Sequence, residues 1–493
     1  MPVRRAVFYC PDNKQGDYHV NYKTKHCRFR LGLIPLLGLF LAGCANIRDG
    51  QPHATALSPA AYGLDNSAAT PAPAQGAWWK ALQQPALDRL VEQALQNHPS
   101  LTLAQARIRQ AGASMALTDA SDGPQLDLQG AHQRLRNSEY GLLPPPLAGN
   151  WFSLNQLSLN LGWRLDFWGK TRALLAAANS RQNAARLEAE DSRNWLASAV
   201  TAQYLDYMAA RHSLQLLQRD QALLASELKQ ARGLVASGIA SPDASDSVLR
   251  EQQQLATRMA ATQTRMARAR HALAALTTLP DAQLASLPLQ ALPQWQLDTR
   301  TLSTRVLAQR PDILAQQARV KAAASGVKAA KAEFYPDVTL GAMAGLQAQN
   351  LSDLFSAGAL ASAITPGITL PLFHSGALNA ALDAQSANYD AAVAGYNQTL
   401  LGAIQEAADG VSQTLGSQQA HAASRAALDT QQRIASRSSS RLASGLIAPS
   451  QNIHAQRSAL AAALENNEAH VRQLQAQTAL LRALAGHLAT ESK

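Results

Sequence analysis

This chain carries one arrangement of residues twice. Pro99, Ala106 and Arg107 recur 212 residues later as Pro311, Ala318 and Arg319, and the same offset takes Pro124 to Pro336. Farther along, Ala236-Ser237-Gly238 recurs as Ala443-Ser444-Gly445 and Pro242 as Pro449, now 207 residues apart. Self-similarity at a fixed spacing marks a duplicated structural unit. A period this long is no solenoid repeat, so each copy holds several elements and the chain is a tandem pair.

The content of one copy follows from its periodicity. Trp78-Trp79 opens a helical stretch with Leu87, Leu90, Val91, Ala94 and Leu95 on a helical period, and a second helix starts at Pro99 and runs to about Ala120. Asp122-Gly123-Pro124 breaks it. The period then changes to two. Leu157, Leu159, Leu161, Trp163, Leu165 and Phe167 alternate with Ser158, Asn160, Gly162, Arg164 and Asp166, giving a strand with one apolar and one polar face. The pattern predicts strands over 125–135 and 154–168, and again over 337–347 and 362–373 in the second copy.

A long helix follows each strand pair. No proline interrupts Lys170 to Ser241 or Gly376 to Ala448. A helix of some 65 residues is about 100 Å long. Each stops at the repeated Ser-Gly tip, and a proline starts the return helix, so helix hairpins are expected over 170–278 and 376–487. Leu255, Met259, Thr262, Met266, Ala269, Leu273 and Leu276 make a heptad seam in the first return helix, and Tyr389, Val393, Tyr396, Leu400, Ile404, Ala407 and Val411 make one in the second copy. With 47% hydrophobic residues but only 5% aromatics, the composition suits long helices packed through small residues rather than one thick core.

The N-terminus reads as a leader. Lys23, Lys25, Arg28 and Arg30 precede the apolar run Leu31 to Leu41, which ends in Leu41-Ala42-Gly43-Cys44. A basic flank, a short apolar stretch and small residues before a cut form a secretory signal over 1–43, too short for a permanent span. Leu-Ala-Gly-Cys resembles the bacterial lipobox, which makes Cys44 the lipidated first residue of the mature chain; a plain signal with a chance cysteine is the alternative. Cys10 and Cys27 go with the leader, so one cysteine remains and no internal disulfide can form. By the same resemblance the covalent lipid is an N-acyl and S-diacylglycerol group, and Ala45 favours the outer membrane. Residues 44–77, rich in Ala, Pro, Ser and Gly, read as a lipidated flexible tether. The two copies then occupy 78–297 and 298–493. Without the leader the charge falls from +10 to +5, with 37 basic and 32 acidic residues, and no basic stripe interleaves with aromatics, so nucleic acid is no partner.

Strands of this length cross an outer membrane when tilted. Four of them cannot close a barrel, and an open edge is not tolerated in lipid. The chain must therefore oligomerise, with the apolar strand face toward lipid and the polar face lining a wet lumen. At this point the sequence resembles the TolC-like outer-membrane efflux family, in its NodT-type lipoprotein branch. The motifs are Asn97-His98-Pro99-Ser100-Leu101, Trp163 to Lys170, Arg310-Pro311-Asp312, Phe334-Tyr335-Pro336-Asp337-Val338 and Leu370 to Gly376, in family order across the mature chain. The resemblance implies an α+β membrane protein: a trimeric tube with a transmembrane antiparallel β-barrel, four strands per chain, and a long periplasmic α-helical barrel. It also implies a periplasmic membrane-fusion adaptor and an inner-membrane efflux pump as partners, and export of drugs or other small toxic compounds.

Site expectations follow. Ser237, Gly238, Ile239, Ser444, Gly445 and Leu446 form the tips, which in the family meet the adaptor and close the periplasmic mouth; a turn that any hairpin needs is the bland alternative. Family members carry aspartates after the second tip, where this chain has Gln451 and His454, so Asp243 and Asp246 after the first tip are expected to supply negative charge to the gate. His454 either tunes that gate with pH or is an exposed helix residue. Arg164 and Asp166 either guide ions in the lumen or form a cross-strand pair. Trp163 and Trp168 belong either to an interfacial aromatic belt or to packing at the strand-to-helix junction. The scattered histidines show no metal spacing, and no phosphate loop or nucleophile elbow occurs, so neither catalysis nor a cofactor is expected. The rival functions are a type I protein-secretion duct and, in another class, a structural envelope lipoprotein or adhesin that uses its helices as a spacer.

Overall fold

The computed structural model describes residues 52–58, 77–142, 144–146, 148–297 and 304–484, so the leader and Cys44 lie outside the described residues. After a 3-10 turn (Trp78–Leu82), the first copy runs α1 (Pro85–Asn97), α2 (Pro99–Ala120), β1 (Gln125–Arg136), β2 (Trp151–Leu165), α3 (Lys170–Ala236), α4 (Pro242–Thr277) and a short α5 (Asp281–Ala285). The second runs from a 3-10 turn (Thr304–Gln309) through α6 (Pro311–Ala332), β3 (Asp337–Ala348), β4 (Leu360–Thr369), α7 (Ser375–Ala443) and α8 (Pro449–Ala483). Proline opens α1, α2, α4, α6 and α8. Its missing N–H falls where a helix has no acceptor for one.

The helices α3 and α7, of 67 and 69 residues, each extend about 100 Å. Helix α3 packs against α2 and α4 of its own copy and against α6 and α8 of the other. The principal core gathers Leu87 and Val91 of α1, Leu196, Val200 and Leu205 of α3, Leu273 of α4, Leu400 of α7 and Val471, Leu474 and Leu480 of α8. Each such side chain, once buried, contributes roughly 1.5–3 kcal/mol. The two seams face inward as their spacing requires: Leu255, Ala269 and Leu273 are buried in α4, and Val393, Tyr396, Leu400 and Ala407 in α7. Among the described residues no helix is long and apolar enough to cross a membrane.

One antiparallel sheet has the order β1-β2-β3-β4, so the β2–β3 pairing joins the two copies. Gly345 of β3 permits the closest approach, since a Cβ there would lie 2.4 Å from the Leu157 carbonyl oxygen. Strands β1 and β4 each keep one edge unpaired among the described residues.

Three expectations are corrected. Strand β2 spans Trp151–Leu165 rather than 154–168, and Asp166 lies beyond it. The Asp166 carboxylate accepts the Arg172 backbone N–H at 3.0 Å, which turns the chain into α3 and ends the strand alternation. Strand β4 spans Leu360–Thr369 rather than 362–373, so Leu370 and Leu372 fall outside it. Pro371 lacks the N–H that a ladder needs. The tether is pinned over its described part: Asp390 accepts the His53 and Ala54 N–H groups at 2.9 and 2.8 Å, and Asn397 accepts the Leu57 N–H at 2.8 Å while donating to the Thr55 carbonyl. Asp390 and Asn397 stand two turns apart on α7 and bind the backbone of His53, Ala54, Thr55 and Leu57.

Candidate functional site

Pairing register sorts the sheet into two faces. The rows Leu126–Leu161–Ala342–Ile364 and Leu128–Leu159–Ala344 lie side by side, with Leu157–Leu346–Leu360, Trp163–Leu340–Pro366 and Leu165–Val338–Ile368 flanking them. This face is apolar in these rows except where the second ends in Ser362 of β4, and much of it is bare: Leu128 is 69% exposed, Leu159 47% and Ile364 78%. The opposite face carries Gln125, Asp127, Gln129, Gln156, Ser158, Asn160, Arg164, Asp337 and Thr339. On it, Asn160 and Gln156 donate to the Ser158 hydroxyl at 3.1 and 3.4 Å. A sheet apolar on one side and wet on the other, with two open edges, is not a finished object in water.

Arg164 occupies the polar face and pairs with Asp337 of the neighbouring strand at 3.2 Å, both side chains about half exposed. Asp166 does not join it. Asp166 caps the start of α3 and meets Arg172 at 3.5 Å. Burial raises its pKa, but the N–H groups of Arg172, Thr171 and Lys170 outweigh that and hold it below the usual carboxylate range. Trp163, on the apolar face, donates to the Asp122 carbonyl at 3.0 Å. Trp168 donates to the Pro336 carbonyl and stacks on Tyr335 at 4.9 Å. Both indoles are more than one-third exposed, so neither is core.

The tips are two equal helix stops. Gly238 and Gly445 take φ of +71° and +69°. The Ile239 N–H returns to the Leu234 carbonyl and the Gly238 N–H to Val235; Leu446 returns to Arg441 and Gly445 to Leu442. This double closure satisfies the last helical carbonyls, and it needs a left-handed residue that only glycine supplies without strain. The residue after each glycine is bare, with Ile239 75% and Leu446 68% exposed. A Cβ on Gly238 meets nothing within 4 Å. Gly238→Ala is therefore expected to cost only the backbone term, about 1 kcal/mol, seen as roughly fivefold faster amide exchange near Ile239 with an unchanged global midpoint.

Above the tips the hairpins are tied by charge. Arg457 of α8 reaches Asp220 of α3 at 2.9 Å, Glu227 of α3 at 3.4 Å and Glu251 of α4 at 2.6 Å. His454, expected as a gate residue or a plain exposed one, lies 3.3 Å from Glu227 and so sits at the margin of this knot. Asp243 stands in the first turn of α4 and accepts from Ser241 at 3.3 Å. Asp246 and Gln451 lie in the opening turns of α4 and α8 and do not join the knot. Farther along, Arg265 of α4 binds Asp206 of α3 and Glu468 of α8 at 2.5 and 2.7 Å. These arginines were invisible to sequence reasoning, because their partners lie on other helices and no local spacing marks them.

Near the core, His421 of α7 and His470 of α8 stack at 4.4 Å. The buried His470 donates to the Pro293 carbonyl at 3.1 Å, and His421 meets Gln473. Burial, with His421 and Arg425 beside it, pushes the His470 pKa down to about 4. The folded chain keeps this ring neutral where the unfolded chain protonates it, so stability falls as pH drops from about 6.5 toward 4 and changes little above that window. The loss per chain is expected to be roughly 3 kcal/mol. Denaturation midpoints measured from pH 7.5 to 4 check this, and His470→Gln should flatten the decline.

Comparison with known proteins gives a consistent result. A family profile described as outer membrane efflux protein matches residues 90–279 and 302–486, one stretch in each copy. The chain is 32% identical over 412 residues to the multidrug resistance outer membrane protein MdtQ of Escherichia coli O157:H7, covering 80% of this chain and 84% of that one. It is 32% identical over 398 residues to the multidrug resistance outer membrane protein MdtP of Escherichia coli K12, covering 77% and 80%. Among solved structures it resembles the outer membrane protein VceC of Vibrio cholerae, with a TM-score of 0.74, 29% identity and coverage of 83% and 98%. The outer membrane channel CmeC of Campylobacter jejuni shares the fold, with a TM-score of 0.77, 21% identity and coverage of 90% and 94%.

Proposed function

The chain belongs to the outer membrane efflux protein family, and from that premise we propose that it is the outer-membrane channel of a tripartite efflux system, a passive conduit for drugs or other small toxic compounds. The observation that carries this is the sheet: an exposed apolar face, a polar face and two unpaired edges in one chain. Three chains supply twelve strands, each β4 pairing with the next chain's β1, so that no edge meets lipid. The helices of three chains form the periplasmic tunnel below. Arg164 and Asp337 line the lumen just inside its helix end, while Trp163, Trp168 and Tyr335 form an aromatic belt at the inner boundary. Cys44 carries the covalent lipid that holds each chain to the same membrane.

In this reading the tips Ser237–Ile239 and Ser444–Leu446 meet a periplasmic adaptor through the bare Ile239 and Leu446 side chains, and an inner-membrane pump supplies the energy. The gate lies just above, where the Arg457 knot, with His454 at its edge, holds α8 to α3 and α4; Asp243, Asp246 and Gln451 surround its mouth. Cysteines placed at Ser237 or Ser444 of the membrane-borne protein should crosslink to an adaptor when a bifunctional thiol reagent is added to cells. Crosslinks that join only copies of this chain would count against adaptor contact.

A further inference from the structure

We propose that the end of the apolar sheet face farthest from the helices is a binding site for a phosphate-bearing, anionic lipid headgroup, with Arg134 as its main cation. The inference rests on the reading of that face as lipid-facing.

The sheet register carries it. Residues 126, 128, 130, 132, 134 and 136 of β1 share a face with 161, 159, 157, 155, 153 and 151 of β2. The apolar rows run from Leu165 to Leu157. That is about 27 Å along the strand, close to the height of an outer-membrane apolar band. Where the rows end, the face changes character. His132 pairs with Asn155, Arg134 with Ser153 and Arg136 with Trp151. Two arginines and a histidine thus stand at alternate positions of one strand, and the nearby carboxylate of Glu139 lies beyond the strand's end, beside Arg136.

Each group has a definite state. The Arg134 guanidinium lies 5.6 Å over the Trp151 ring, with no carboxylate within ion-pair distance among the described residues. Arg136 donates to the Gly149 carbonyl at 3.0 Å and reaches Glu139 only at 3.9 Å, both side chains more than half exposed. Asn155 spends its amide on the Ala348 and Gln349 carbonyls, so its oxygen must accept and His132 Nδ1 must donate to it at 2.7 Å. The His132 Nε2 is then an acceptor, open to a hydroxyl or amine of a headgroup rather than to its phosphate, which leaves the phosphate to Arg134.

The opposite end of the same face fixes which leaflet is read. There the face ends in Trp163, Leu165, Val338 and Ile368, and the nearby Arg164 and Asp337 lie on the other side of the sheet. On the sheet face itself cations therefore stand at one boundary of the apolar band; at the other, Lys170 and Arg172 lie beyond the strands and are paired with Glu333 and Asp166. An arginine on the lipid side of a barrel is tolerated at the interface and unfavourable at the midplane, and its planar fork matches phosphate oxygens. Trp151 beneath it has the amphipathic ring that favours the headgroup level. Row position, one-sided charge and the indole together select a phosphorylated lipid of the outer leaflet over a soluble anion.

The test uses the full-length trimer purified in mild detergent and incubated with lipopolysaccharide, its dephosphorylated form, or inorganic phosphate, with retained ligand read by native mass spectrometry. Lipopolysaccharide should be retained, while the dephosphorylated form and inorganic phosphate should not. Arg134→Ala should lower retention about tenfold, with partial recovery in Arg134→Lys. Equal retention by Arg134→Ala, or equal retention of the dephosphorylated lipid, would overturn the site. Single-channel recording on the same preparations separates the premises: conducting trimers without phosphate dependence reject only the lipid site, whereas preparations that conduct neither as the wild type nor as Arg457→Ser reject the lipid-facing reading as well.

Discussion

Leu159→Arg is expected to abolish the membrane-inserted trimer, while Asn160→Arg, one residue along the same strand, leaves it assembled. Leu159 stands midway in the apolar rows, opposite Leu128 and Ala344, with nearly half its surface bare. A cation at the midplane of a lipid-facing strand costs about 2–4 kcal/mol, and a threefold assembly suffers that loss three times. Asn160 faces the other way, beside Ser158 and in line with Met343, on the face assigned to the lumen. Adjacent strand residues point to opposite sides, so the pair differs in solvent and in little else. Heat-stable oligomer on a gel, measured in outer-membrane fractions, reports the outcome. Equal loss in both variants would mean that the faces do not meet different solvents.

The second large effect is expected at Arg310, which opens α6. The residue is 8% exposed, and its guanidinium makes bonds to three elements. It donates to the Glu406 carboxylate of α7 and the Ala483 carbonyl of α8, each at 2.9 Å, and grips Asp312 with two further nitrogens at 3.1 and 2.8 Å. Glu406 is shared with Arg482. Burial opposes the charge on Arg310, and the bonds to Asp312 and Glu406 more than restore it. Asp191 of α3 faces this knot with its pKa raised, first by burial and then by Asp312. Arg310→Ala takes one donor from two carboxylates and from a helix-end carbonyl, leaving Glu406 to Arg482 and Asp312 to the Ile313 N–H. Breaking one side of a buried ion pair costs about 3–5 kcal/mol, so a steep fall in the denaturation midpoint is expected, with partial recovery in Arg310→Lys. A change within about 0.5 kcal/mol, the range of ordinary surface substitutions, would show the knot to be incidental.

Arg310 also shows where sequence reading stops. Arg310-Pro311-Asp312 reads locally as a helix start, which it is. Its contacts with Glu406 and Ala483 span 96 and 173 residues, and no spacing rule reaches that far. The same holds for Arg457 and Arg265. The pinned segment 52–58 is a stronger case. It belongs to residues 44–77, whose Ala-, Pro-, Ser- and Gly-rich composition suits a tether, yet Asp390 and Asn397, more than 330 residues away, hold its backbone. By contrast, the strand faces were legible because alternation is local: Leu157 to Leu165 and Ser158 to Arg164 fall on the sides that their polarity implies. Alternation overran at Asp166 because that carboxylate serves the next helix, and at Leu370 because the prolyl ring of Pro371 breaks the ladder. The tips were legible for the same local reason, since a helix that stops on a left-handed residue calls for glycine.

If several copies of this chain enclose a water-filled path across one membrane, the assembly must pass current. Single-channel recording of the purified trimer in a planar bilayer tests it most directly. Discrete, uniform conductance steps are expected, small in the wild type and larger in Arg457→Ser, which releases α8 from Asp220, Glu227 and Glu251. A correctly folded trimer that inserts yet conducts in neither form would contradict it.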